Sequence, residues 1–121
     1  MADGSAVVCR ADELAEGGKG IRFDISIGDK PRSGFVIRFE GQAHAFVNSC
    51  PHLGTELDWQ PGEFFDDSGL YLICATHGAV FMPDSGYCTG GPCKGQRLIR
   101  LPVRESDGNI SLTEGFHLYV E

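Results

Sequence analysis

Apolar and polar residues alternate along Ile21-Arg22-Phe23-Asp24-Ile25-Ser26-Ile27, and Ala6-Val7-Val8-Cys9 is a short apolar run. A period of two marks a strand with one face in the core and the other in water, and a short apolar run suits a buried strand, so both segments are expected to be β-strands. Phe35-Val36-Ile37-Arg38-Phe39 and Ala43-His44-Ala45-Phe46-Val47 are further strand candidates. Glu40-Gly41-Gln42 between them is a short glycine-containing connection, which predicts a hairpin. Leu70–Cys74, Ala79–Phe81, Leu98–Val103 and Ile110–Leu112 complete a set of about eight short strands. Turn-forming clusters separate them at Asp66-Asp67-Ser68-Gly69, Pro83-Asp84-Ser85-Gly86 and Ser106-Asp107-Gly108-Asn109. Only Arg10–Glu16 has the composition of a helical turn, closed by Gly17-Gly18. The pattern predicts an antiparallel all-β domain, a sandwich or small barrel.

Composition agrees with that picture and bounds it. The chain has 121 residues, 41% of them hydrophobic, which is enough for one core and too little for two domains of usual size. Its 17 glycines and 6 prolines suit many short elements joined by turns. No apolar run approaches the roughly 20 residues that span a bilayer. Met1-Ala2-Asp3-Gly4-Ser5 has neither the basic nor the apolar region of an export signal, so a cytoplasmic protein is expected.

Net charge is −7, which argues against a nucleic-acid surface or an anionic membrane as partner. The charge is unevenly spread. No lysine or arginine lies between Arg38 and Lys94, and that stretch holds Glu40, Glu56, Asp58, Glu63, Asp66, Asp67 and Asp84. These seven carboxylates account for the whole imbalance, since the remaining ten acids match the ten bases.

Five cysteines, Cys9, Cys50, Cys74, Cys88 and Cys93, form an odd set. In a reducing compartment, cysteines near histidines are metal ligands more often than disulfide partners. Cys50-Pro51-His52 and Cys74-Ala75-Thr76-His77 each supply one thiolate and one imidazole after an apolar strand. Two metal centres suit that set: a four-coordinate zinc ion, or a two-iron two-sulfur cluster with thiolates on one iron and imidazoles on the other. Zinc fingers usually pair cysteine with cysteine and histidine with histidine in sequence. Here each loop is mixed, so each must reach both ends of something elongated, which favours the cluster.

With Cys50-Pro51-His52-Leu53-Gly54, Cys74-Ala75-Thr76-His77-Gly78 and Gly90-Gly91-Pro92 in place, the chain resembles the Rieske family of iron–sulfur proteins. The resemblance implies an all-β fold of Rieske type, an antiparallel sandwich or small barrel with an inserted cluster-binding subdomain. The whole chain, 1–121, would form one such domain, with a base of residues 1–48 and 94–121 and a cluster-binding part of residues 49–93. It implies one [2Fe–2S] cluster per chain, with Cys50 and Cys74 on the inner iron, His52 and His77 on the outer iron, and Gly90-Gly91-Pro92 as a covering loop. High-potential members of the family carry an extra loop cysteine in each motif. They also place a serine and a tyrosine two and four residues after the second histidine. This sequence has Thr55 and Ala75-Thr76 where the extra cysteines would fall, and Ala79 and Phe81 where the hydroxyls would. A potential at the low end of the Rieske range, on the order of −150 mV, is therefore expected.

The other candidate residues have plainer readings. Cys88 and Cys93 bracket the Gly-Gly-Pro loop and are expected to pack it rather than to form a redox pair. Cys9 is expected in the core, and His44 and His117 at the surface or in a hairpin. Trp59 either screens the cluster or packs the connecting segment. The resemblance implies a monomeric ferredoxin that passes single electrons from a reductase to a terminal oxygenase or similar acceptor. The acidic run near the ligand loops is its expected docking face. A small Rieske subunit of a larger, nitrite-reductase-like complex and a structural Cys2His2 zinc module are the alternatives. No catalytic residues of an oxygenase are visible, since a mononuclear iron site needs two further histidines and a carboxylate.

Overall fold

The computed structural model describes residues 6–27, 30–49, 56–58, 60, 62–74, 78–91, 94–112 and 117–118, and the regular structure among these described residues is all β apart from a 3-10 turn at Ala11–Glu13. The strands among the described residues are β1 (Ala6–Arg10), β2 (Ile21–Ile27), β3 (Lys30–Phe39), β4 (Gln42–Val47), β5 (Leu72–Ile73), β6 (Val80–Phe81), β7 (Cys88–Gly90), β8 (Arg100–Leu101), β9 (Val103–Ser106), β10 (Asn109–Leu112) and β11 (His117–Leu118). They form three antiparallel sheets with the orders β1-β10-β9, β11-β2-β3-β4-β8 and β5-β6-β7.

The five-stranded sheet is the middle layer, and its pleat divides the core in two. Phe35, Ile37, Phe39 and Phe46 point to one side, where they meet Leu57, Phe64, Leu72, Phe81 and Leu98. Val36, Ala45, Val47, Phe23 and Ile25 point to the other and meet Cys9, Ile110 and Leu112 of the β1-β10-β9 sheet. Successive side chains of a strand face opposite ways, so a strand covered on both faces reads as a continuous apolar run. That is why Phe35-Val36-Ile37 shows no alternation while all three residues are fully buried.

Differences from the sequence expectation have local causes. β3 begins at Lys30, five residues before its apolar run, because Lys30–Gly34 pairs with Phe23–Ile27 of β2. The expected Leu98–Val103 strand is two strands, broken at Pro102. Proline has no N–H to continue a ladder, so β8 stays with β4 while β9 crosses to pair with β10. The expected Leu70–Cys74 strand shortens to Leu72–Ile73, with Leu70 and Tyr71 exposed. The predicted hairpin closes at Glu40 and Gly41, both with positive φ (52° and 79°), and the Glu16 carboxylate accepts from both amides.

Cys9 is in the core as expected, and burial raises its thiol to a pKa of about 11. His44 lies on the hairpin strand β4 but is buried rather than at the surface, because the Arg100–Val103 segment lines the same depression. His117 is the first residue of β11, opposite Ser26. Among the described residues no helix is long and apolar enough to cross a membrane.

Candidate metal centre

The first Cys–His loop leaves the middle sheet from the end of β4. Asn48 donates its backbone N–H to Ser33 O of β3 at 2.7 Å, which anchors the departure. The chain returns at Leu57, which is fully buried in the same apolar cluster as Phe46 and Phe64. Cys50 and His52 lie outside the described residues, as does Trp59.

The second loop is a tight reversal at the end of β5. Cys74 N–H donates to Ala79 O at 2.9 Å, and Gly78 N–H donates back to Cys74 O at 2.7 Å. These bonds tie Cys74 to Gly78 and Ala79, and Gly78 has a positive φ of 75°. His77 lies outside the described residues. Cys74 is fully buried and belongs to the apolar cluster that also holds Leu57, Ala79, Phe81 and Cys88.

The third loop follows β7. Gly91 lies so close to the second loop that a Cβ on it would sit 2.7 Å from Ala79 Cα and 3.1 Å from Gly78 O. Its φ of +91° is one that L side chains rarely adopt. Only a glycine permits this approach, so the described part of the Gly-Gly-Pro loop lies directly on the second ligand loop. Cys88 is buried, with its thiol donating to Gly90 O at 3.1 Å, in keeping with a packing role; Cys93 lies outside the described residues.

Thus the bases of all three loops grow from one apolar cluster, and of the four candidate ligands the structure places Cys74. A buried thiol on a glycine-hinged turn, covered by a second glycine loop, fits a thiolate-ligated cluster kept from water. Ala79 and Phe81 are both fully buried and bring no hydroxyl to this region. Among the described residues no three His, Cys, Asp or Glu side chains come together to hold a metal ion.

The acidic run divides in the structure. Arg22 Nη2 donates to both Glu56 carboxylate oxygens at 2.9 Å, and Arg22 Nε lies 3.6 Å from Asp58 Oδ2. Lys19 Nζ is 4.0 Å from Glu63. Asp66 and Asp67 line a shallow depression with Glu16 and Glu40. Glu40 is in the β3–β4 turn, at the opposite end of β4 from Asn48, and a strand of that length spans about 20 Å. Of the described acids, Glu56 and Asp58 directly follow the first ligand loop in the chain, and both are partnered. Asp58 has no exposed side-chain area at all. Sequence reasoning read it as one charge of a run and assigned no role to Asn48 or Arg22. Nothing in the spacing marks them, because their contacts join segments distant in sequence.

The three-sheet antiparallel fold thus sets the bases of the two Cys–His loops and of the glycine loop on one apolar cluster. The family model of the Rieske [2Fe-2S] domain matches residues 4–110, and the chain belongs to that family. Its cofactor is the Rieske [2Fe–2S] cluster. A comparison with curated protein sequences finds no match. Among solved structures, the Sphingomonas yanoikuyae B1 ferredoxin is similar with a TM-score of 0.71 at 20% identity, over 92% of this chain and 99% of its own. The ferredoxin of carbazole 1,9a-dioxygenase from Nocardioides aromaticivorans IC177 is similar with a TM-score of 0.72 at 22% identity, over 93% of this chain and 99% of its own. The terminal oxygenase of carbazole 1,9a-dioxygenase from Novosphingobium sp. KA1 is similar with a TM-score of 0.72 at 23% identity, over 95% of this chain. There the chain spans 31% of the oxygenase's length. At these identities the likeness is one of fold.

Proposed function

We propose that the protein is a one-electron carrier whose cluster is held by Cys50 and Cys74 on one iron and by His52 and His77 on the other. The observation that carries this reading is the fully buried Cys74 on its closed turn, with Gly91 packed over the same turn. When bound, such a cluster accepts and releases single electrons. The chain's own part is to hold two thiolates and two neutral imidazoles, which lowers the negative charge of the centre relative to four thiolates and raises its potential. Ala79 and Phe81 offer no hydroxyl donors to the sulfurs, which keeps that potential at the low end of the range, on the order of −150 mV.

The electron would come from a reductase and pass to a terminal oxygenase or similar redox protein. Two observations support this pairing. The fold matches free-standing ferredoxins along 99% of their length. A similar fold also stands in the solved complex of reduced oxygenase and oxidized ferredoxin in carbazole 1,9a-dioxygenase, over 99% of this chain at 22% identity. The docking face is the end where the three loops converge, with Glu56 as its described acid. Such encounters use small, transient interfaces, consistent with a monomer in a reducing, cytoplasmic setting.

The test is electron paramagnetic resonance on protein purified without air and reduced with dithionite, together with iron and sulfide analysis. The expected result is a rhombic signal of low average g-value and two irons per chain, lost in Cys74→Ser. A colourless protein with one zinc per chain would overturn it.

A further inference from the structure

The first ligand loop is joined at its base by a buried polar group that the carrier chemistry does not use. Asn48, 3% exposed, is the residue from which the loop departs. Its side-chain Oδ1 accepts the backbone N–H of Leu57, where the loop returns, at 2.8 Å. Its Nδ2 donates to Asp58 Oδ1 at 3.0 Å. The other carboxylate oxygen of Asp58 accepts the N–H of Gly62 at 3.0 Å. Gly62 O in turn accepts from Gly20 N–H at 2.8 Å, just before β2. Arg22 of β2 reaches Asp58 Oδ2 at 3.6 Å and grips the Glu56 carboxylate with its terminal nitrogen.

One amide side chain thus spans the two ends of residues 49–56, and one carboxylate carries the connection on to the following turn. Burying an amide and a carboxylate is costly unless every polar atom finds a partner. Among the described residues none of the buried side-chain nitrogens and oxygens lacks one. A fully satisfied buried network fixes geometry, because any displacement leaves a desolvated group unpaired. Apolar packing of Leu57 alone would tolerate a shift of the loop along its own axis; the directional bonds to Asn48 would not.

We propose that Asn48 and Asp58 are positioning residues: a buried clamp that closes the base of the first Cys–His loop, while Arg22 braces its return limb against the middle sheet. The clamp sets where Cys50 and His52 stand relative to Cys74. It rests on the assignment of the cluster to those loops.

The experiment has two arms. In the wild-type protein, amide hydrogen exchange followed residue by residue should find Leu57 and Gly62 protected as strongly as the β3–β4 strand amides. Exchange of Leu57 at the rate of an open loop overturns the clamp whether or not iron is bound. In the second arm, Asn48→Ala and Asp58→Asn are compared with wild type for release of iron to a chelator and for the linewidth of the reduced paramagnetic signal. Asn48→Ala should release iron at least tenfold faster and broaden the signal, and Asp58→Asn, which keeps the shape and an acceptor for Gly62, should fall between. Circular dichroism checks that the β signal persists. If Asn48→Ala does not fold, the graded effect of Arg22→Gln on the same release rate takes its place. Wild-type release and linewidth in the folded variants would overturn the proposal. A wild-type protein with protected Leu57 that takes up no iron would instead refute the cluster assignment and leave the clamp standing.

Discussion

Phe35 and Phe64 stack almost parallel, with ring centroids 3.9 Å apart and 12° between their planes. Phe35 belongs to β3 in the middle sheet, and Phe64 lies between the two Cys–His loops in sequence. Phe64 also holds β5 in place, since Ile73 N–H donates to Phe64 O at 2.9 Å. The ring stack therefore couples the sheet directly to the strand that carries Cys74. Phe64→Ala should cost about 3–5 kcal/mol, the usual penalty for emptying a buried phenylalanine site. Urea unfolding of the variant would reveal it, with loss of the visible cluster absorbance at lower urea than in wild type.

The contact of Gly91 with Ala79 gives a paired prediction. Gly91→Ala must both adopt a positive φ and push a methyl into backbone, so a strain of roughly 1–3 kcal/mol is expected. A methyl added at Gly90 would meet nothing within 4 Å, and the backbone there has no such angle, so Gly90→Ala is the matched control. Bleaching of the cluster in air should be several times faster in Gly91→Ala and unchanged in Gly90→Ala.

Ala79 and Phe81 sit fully buried in the cluster of side chains that holds Cys74. Installing hydroxyls there, as Ala79→Ser with Phe81→Tyr, should raise the reduction potential. A hydrogen bond worth about 1 kcal/mol more to the reduced form moves a one-electron couple by roughly 40 mV. Film voltammetry at fixed pH would measure the rise, and an unchanged potential would mean that neither hydroxyl reaches a sulfur.

His44 is held below the ordinary imidazole value, first by burial and then by the nearby positive charge of Arg100. A histidine with a depressed pKa in the folded state stabilises the fold fully above its unfolded value of about 6.5. Below that pH the unfolded chain takes up the proton first, so stability falls as pH drops. Urea midpoints between pH 7.5 and pH 5 should decline more steeply for wild type than for His44→Gln. Equal slopes would place the titration elsewhere.

Glu56 lies beside the converging loops, and Asp67 lies with Glu40 toward the opposite end of β4. If the partner meets the converging loops, electron transfer should slow as salt rises, and Glu56→Gln should flatten that dependence. Asp67→Asn, in the depression beside Glu16 and Glu40, should leave it unchanged. Stopped-flow reduction of an acceptor at several ionic strengths distinguishes the two ends.

Much of this protein was legible in its residues. The alternation of Ile21–Ile27 predicted β2 residue for residue, and Glu40-Gly41-Gln42 predicted the hairpin, of which Gln42 is already the first residue of β4. Both are local signals: side-chain period and turn chemistry are written within a few residues. The mixed Cys–His loops likewise pointed to an iron–sulfur centre from spacing, and the matched family is the one those loops resemble. Two things needed the tertiary structure. β7 and the start of β3 carry no periodic signal and are strands only because a neighbour pairs with them. The acidic run looked like one face, yet Asp58 is buried with Asn48 while Asp66 and Asp67 lie near the far hairpin. The residues that meet these acids, Arg22, Asn48 and Glu16, lie up to dozens of residues away in the chain. Patterning settles which residues seek the core and which loops can hold metal. Which loops meet, and which charges are neutralised on the way, depends on long-range packing that no local pattern encodes.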